Sequence, residues 1–186
     1  MIYLVLGALG IFLVSQAPKA VDAVEGMILR ESDNWTRFDA LFKKYGAINN
    51  VDWLVLKAIA MNESSLGSVK SVALGLVNPS DIEGSKSQDG LSWGLMQVTV
   101  TTAKDLDPSA TAQKLNDPEY SVRLAAQYLG RLQKRFNMLE TRWLEWVVKS
   151  YNQGPGNTDK ERKGLIDGYA QEYWDRFERN YERASA

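Results

Sequence analysis

Apolar residues recur along this chain at spacings of three and four, and no alternating strand pattern runs longer than a few residues. The pattern predicts a mainly α fold. Val51, Leu54, Val55, Ala58 and Ile59 form one stripe, predicting a core helix that is capped by Asn49 or Asn50 and ends near Ser64 to Gly67. Before it, Trp35, Phe38, Leu41 and Phe42 follow a cap at Ser32 or Asp33, and Gly46 is read as the stop. A short helix is expected over Thr99 to Leu106. Asp117-Pro118 opens a long amphipathic helix carrying Val122, Ala125, Leu129, Leu132 and Phe136. Trp143, Trp146, Val147, Ser150 and Tyr151 give another stripe, stopped by Gly154-Pro155-Gly156. A last helix, roughly Lys160 to Arg183, should bury Ile166, Tyr169, Tyr173 and Phe177 and leave its many charges solvated. The Ser-, Gly- and Asp-rich residues 68 to 92 read as a loop long enough to be functional.

The N-terminus differs from the rest. Met1 to Val14 is apolar and uncharged, and the first charge is Lys19, so the uncharged run extends through Pro18, marginal for the ~20 residues of a membrane span. An uncleaved hydrophobic helix anchoring the protein to a membrane is the favoured reading. A signal peptide cut after Ser15-Gln16-Ala17 competes with it, but Pro18 follows that site directly and no Lys or Arg precedes the apolar run. A helix buried in the domain's own core is the third alternative. Val21, Val24, Met27 and Ile28 continue the helical spacing as a stalk. The expected organisation is therefore an anchor and stalk over residues 1–31 and a single domain over 32–186, a length sufficient for a real core.

Composition narrows the chemistry. Lys+Arg is 22 and Asp+Glu is 23, without the basic excess of a nucleic-acid binder. There is no cysteine and no histidine, which removes disulfides, His-activated nucleophiles and the usual zinc sites. No metal or cofactor is expected, and proton transfer falls to carboxylates, Tyr or Lys. Glu63 stands out because it lies four residues after Ile59 and seven after Leu56, beside the apolar stripe. Desolvation there disfavours the charged form and raises its pKa, which suits acid catalysis of glycoside cleavage.

Three stretches occur together: Glu63-Ser64-Ser65 at the end of an apolar helix, Gly94-Leu95-Met96-Gln97, and Ser150-Tyr151-Asn152-Gln153-Gly154. In this order they resemble the signature motifs of the soluble lytic transglycosylases, and in part those of goose-type lysozymes. The resemblance covers about Asn50 to Tyr173. It implies a lysozyme-like helical fold whose cleft binds peptidoglycan glycan strands. It further implies that Glu63 protonates the oxygen between N-acetylmuramic acid and N-acetylglucosamine, then takes the proton of the muramoyl 6-hydroxyl to close a 1,6-anhydro ring.

By the same resemblance, Gln97 would hydrogen-bond the sugar, Met96 would line the cleft, and Tyr151 would hold Glu63 through its phenol. Asn152 would fix the turn or touch substrate. Ser64 joins this substrate-side group as a helix-terminal hydrogen-bonding residue rather than a nucleophile, since no base is available to activate it. Two departures stand out. The loop before Gly94 is long and carries Asp81 and Asp89, either of which could activate water in a goose-type hydrolytic muramidase. Ser150 also stands where the family usually has Ala. A non-catalytic glycan-binding protein is the rival from another class. Implied partners are glycan strands and a membrane, with virion or secretion-apparatus proteins in a phage or secretion setting; a bacterial envelope enzyme facing the wall fits equally well.

Overall fold

The computed structural model describes residues 3–7, 10–14, 34–67 and 91–186. Where a hydrophobic N-terminal helix was expected, the described residues form an antiparallel ribbon instead: β1 (Tyr3–Gly7) pairs with β2 (Gly10–Val14), Tyr3 opposite Val14 and Gly7 opposite Gly10. Two glycines close together suit a hairpin, and Val5, Ile11, Phe12 and Val14 favour extended backbone. The stalk, the caps at Ser32 and Asp33 and the boundary at residue 32 lie outside the described residues. Among those described, no helix is long and apolar enough to cross a membrane.

The rest is mainly helical, as predicted. α1 (Asn34–Arg37) and α2 (Asp39–Asn49) are separated by a break at Phe38. Gly46 does not end α2. Asn50 does, in a left-handed conformation (φ 54°) with its N–H returned to the Gly46 carbonyl. A Cβ on Gly46 would stand 2.6 Å from the Val51 carbonyl, so the bare glycine lets the chain fold back tightly. The cap of α3 (Trp53–Ser64) is then Asp52, not Asn49 or Asn50: its carboxylate accepts the Leu54 N–H at 2.9 Å.

α3 is the central helix, buried along nearly its whole length from Val55 to Met61. Even Lys57 is covered, with its ammonium 2.9 Å from Asp39 Oδ1 and 4.4 Å from the Trp35 ring centroid. A tight turn over Ser65–Gly67 follows, with Ser65 and Leu66 both left-handed.

β3 (Ser92–Trp93) and β4 (Val98–Thr99), two short antiparallel strands, form a hairpin around the turn Gly94–Gln97. Thr99 caps α4 (Val100–Leu106), and α5 (Ala112–Leu115) leads to α6 (Pro118–Arg135). Asp117 caps α6 through the Tyr120 N–H at 2.7 Å, and its buried face holds Val122, Ala125, Leu129 and Leu132 as the spacing predicted.

α7 (Trp143–Gln153) stops where expected, yet Pro155 opens α8 (Pro155–Arg162), because a first-turn proline suits a helix start. The single last helix anticipated over 160 to 183 is therefore two pieces. Gly164, at φ 66°, separates α8 from α9 (Gln171–Ser185), which leaves Ile166 half-buried and Tyr169 exposed. Tyr173 and Phe177 are buried as predicted. α9 packs along α3, tied by Asn62 Nδ2 to the Tyr173 carbonyl (3.0 Å) and by Asn180 Nδ2 to Asn62 Oδ1 (2.7 Å). α2 and α6 also pack on α3, so the last turn of the central helix opens toward the hairpin.

Candidate active site

The hairpin turn Gly94–Gln97 is fastened from three helices. Ser64 at the end of α3 donates to the Leu95 carbonyl (2.8 Å), Ser121 of α6 accepts the Met96 N–H (3.1 Å), and Tyr151 of α7 donates its phenol to the Met96 carbonyl (2.8 Å). Gln97, left-handed at φ 48°, closes the turn by donating its side-chain amide to the Gly94 carbonyl at 2.8 Å. Gly94 itself sits at φ 81°, where a Cβ would lie 1.9 Å from the Leu115 carbonyl oxygen. No other residue fits there.

These fastenings join the three sequence motifs and leave a pocket beside the turn. It is lined by Glu63, Ser92, Gln97, Val98, Thr99, Thr102, Tyr128, Tyr151 and Asn152. Among the described residues Glu63 is the one carboxylate that lines it. Burial pushes the Glu63 carboxyl up from 4.5 to about 7, against the pull of a hydrogen bond from Tyr173 and the positive charge of Arg176. Tyr173 donates its phenol to Glu63 Oε1 at 2.6 Å, fixing the carboxyl from α9, and its own pKa is held well above 10 by burial beside Glu63. A carboxyl with this pKa carries a proton on about half of the molecules near neutrality and can both give and take one. The lining offers hydroxyls, two amides and two tyrosine rings but no cluster of metal ligands, and none occurs among the described residues.

The structure brings Glu63, Gln97, Tyr151 and Asn152 together and corrects three of the anticipated roles. Tyr151 does not hold Glu63; its hydroxyl is engaged by Met96, and Tyr173 makes the bond instead. Met96 does not line the cleft: its side chain is fully buried in the core, where an apolar group in a tight inward turn belongs, and only its backbone serves the site. Ser64 is likewise buried. Its hydroxyl bonds the Leu95 and Ala60 carbonyls and accepts the Gly67 N–H, so it fastens α3 to the turn and cannot meet substrate. Asp81 and Asp89 lie outside the described residues.

Tyr128, whose ring centroid is 5.8 Å from that of Tyr151, was not anticipated, nor were Thr99 and Thr102 with hydroxyls 2.9 Å apart. Tyr173 was read as core alone. A buried tyrosine hydroxyl needs a partner, which was the available signal, but the partner lies 110 residues away in sequence.

Residues 40–171 match the family described as "Transglycosylase SLT domain". The chain is 30% identical over 129 residues to membrane-bound lytic murein transglycosylase F of Aliivibrio fischeri, a match spanning 68% of this chain and 22% of that protein. Its counterpart in Vibrio cholerae is 31% identical over the same length, 20% of that protein. The chain thus matches about a fifth of the length of these curated relatives. In structure it resembles an inactive mutant of the lytic transglycosylase Slt from Pseudomonas aeruginosa, with TM-score 0.53 and 22% identity, over 81% of this chain and 22% of that one. That likeness fixes the architecture as the lysozyme-like fold.

Proposed function

This chain belongs to the transglycosylase SLT domain family, and on that footing we propose that it is a lytic transglycosylase acting on peptidoglycan, with Glu63 as its acid and base. The bond cleaved is the β-1,4 link from N-acetylmuramic acid to N-acetylglucosamine. The observation that carries the reading is Glu63 itself: a carboxyl at about 7, held on one oxygen by Tyr173, in a pocket with no second carboxylate among the described residues.

In the first step protonated Glu63 gives its proton to the glycosidic oxygen as the C–O bond breaks, and the N-acetylglucosamine leaves as an alcohol. The cation developing on the muramoyl carbon is stabilised by that sugar's own acetamido oxygen, which removes the need for a second carboxylate. Glu63, now ionised, then takes the proton of the 6-hydroxyl as that oxygen bonds the anomeric carbon. The 1,6-anhydro ring closes, and Glu63 returns to its acid form without water being consumed. Tyr173 and Arg176 stabilise the carboxylate between the steps, while Asn152, Gln97 and Tyr128 border the path of the glycan.

The wall is the place of action. The uncharged run through Pro18 and the likeness to membrane-bound transglycosylases of Aliivibrio fischeri and Vibrio cholerae support attachment to a membrane through the N-terminus, ahead of a domain that begins near residue 32. The test is Glu63→Gln: it should keep the fold and glycan binding while release of wall fragments falls ~10²- to 10⁴-fold. Near-normal wall lysis by a folded variant would overturn the assignment.

A further inference from the structure

We propose that Lys149 is a positioning residue for this site, the buried joint at which α7, α8 and α9 are locked so that Tyr173 meets Glu63 and the Tyr151–Asn152 end of α7 borders the pocket. The inference rests on the role proposed for Glu63. Lys149 is 1% exposed, and each donor of its ammonium has a partner on a different helix: Glu145 Oε1 of α7 at 2.9 Å, Glu161 Oε1 of α8 at 2.7 Å and Gln171 Oε1 of α9 at 2.7 Å. A buried charge adds little net stability over an apolar side chain of the same volume. What this one supplies is direction, because three rigid helices are referred to one point.

From that point the lock reaches the site along two arms. On the first, the other oxygen of Glu161 accepts the Gln153 amide at 2.6 Å, and Gln153 directly follows Asn152. On the second, Gln171 donates its amide to Asp175 at 2.7 Å, which staples the first turn of α9 around Tyr173. The backbone of Tyr173 is held from the opposite side by Asn62 at 3.0 Å, so its phenol is aimed between two fixed supports. The loop between α8 and α9 seals the joint: Gly168 lies so close that a Cβ there would stand 2.0 Å from the Glu161 carboxyl carbon. Arg142 balances the charge by pairing with Glu145.

Two variants of the full chain test this. Lys149→Met removes the joint, and Gln171→Ala cuts only the arm to α9, at an exposed residue and without changing charge. The readouts are the titration midpoint of the Glu63 carboxyl, from infrared difference spectra against Glu63→Gln, and kcat and KM on purified peptidoglycan. The groups facing Glu63 are Tyr151 of α7 and Tyr173 and Arg176 of α9. Loosening Tyr173 removes a donor that favours the carboxylate.

Both variants should therefore move the midpoint above the wild-type value, and kcat should fall roughly tenfold or more with the fold intact. An unchanged midpoint in folded Gln171→Ala overturns the inference, as does a shift confined to Lys149→Met, which would mark the lost charge alone. If Lys149→Met does not fold, Gln171→Ala decides by itself. A wild type that titrates as described but releases no glycan fragment overturns the proposed function instead, and the midpoint in Gln171→Ala still decides the joint.

Discussion

Replacing Glu63 by Gln should stabilise the protein at alkaline pH while it destroys activity. In the folded chain burial raises the Glu63 pKa from 4.5 to about 7, so the folded state holds its proton more tightly than the unfolded state does. Below 4.5 both states are protonated and nothing is lost. As pH rises from 4.5 to 7 the unfolded chain releases the proton first, and stability falls until both forms are ionised. The full penalty, between 4.5 and about 7, corresponds to about 3 kcal/mol at pH 8. Gln has the same shape without the charge, and its amide oxygen can still accept from Tyr173. The variant should gain about 1 to 3 kcal/mol at pH 8, or roughly 3 to 10 °C in Tm. The gain should vanish at pH 4. Thermal and urea unfolding of both proteins from pH 4 to 8 measures it. Equal stability at pH 8, or a gap that persists at pH 4, would refute the claim that Glu63 is held in a desolvating site.

Tyr173→Phe removes the hydrogen bond that favours the Glu63 carboxylate, so the pH–rate profile should move to higher pH while kcat falls; an unmoved profile would show that Tyr173 does not set the acid. Gly94→Ala forces a Cβ to within 1.9 Å of the Leu115 carbonyl at a left-handed position and should cost more than about 3 kcal/mol, read as loss of cooperative unfolding in circular dichroism. Ser150 is buried with a hydroxyl that bonds nothing described, so Ser150→Ala should be neutral or stabilising by about 1 kcal/mol in urea unfolding, with activity retained.

What the chain reveals by local pattern is what local physics controls. The stripe of α6 and its Asp117-Pro118 start need only neighbours three and four residues apart, and both are found as the spacing predicts. The same holds for Glu63, whose place beside the stripe of α3 already implied a raised pKa. Long-range partners were hidden. Tyr151 and Tyr173 are both tyrosines on buried helix faces, and only the packing of α9 on α3 decides which phenol reaches Glu63. Met96 and Ser64 carry the site's geometry through backbone and core contacts, which motif matching cannot separate from contacts to substrate. Gly46 was misread for a related reason: a close approach to Val51 calls for glycine as strongly as a helix stop does.

The most direct test of the central claim is mass spectrometry of peptidoglycan fragments released in H₂¹⁸O. A reaction in which Glu63 serves first as acid and then as base toward the 6-hydroxyl yields 1,6-anhydromuramoyl ends, one water lighter than reducing ends and free of ¹⁸O, and Glu63→Gln should abolish them. Fragments ending only in ¹⁸O-labelled reducing N-acetylmuramic acid would contradict it and move the chemistry to water, with a second carboxylate such as Asp81 or Asp89 to activate it.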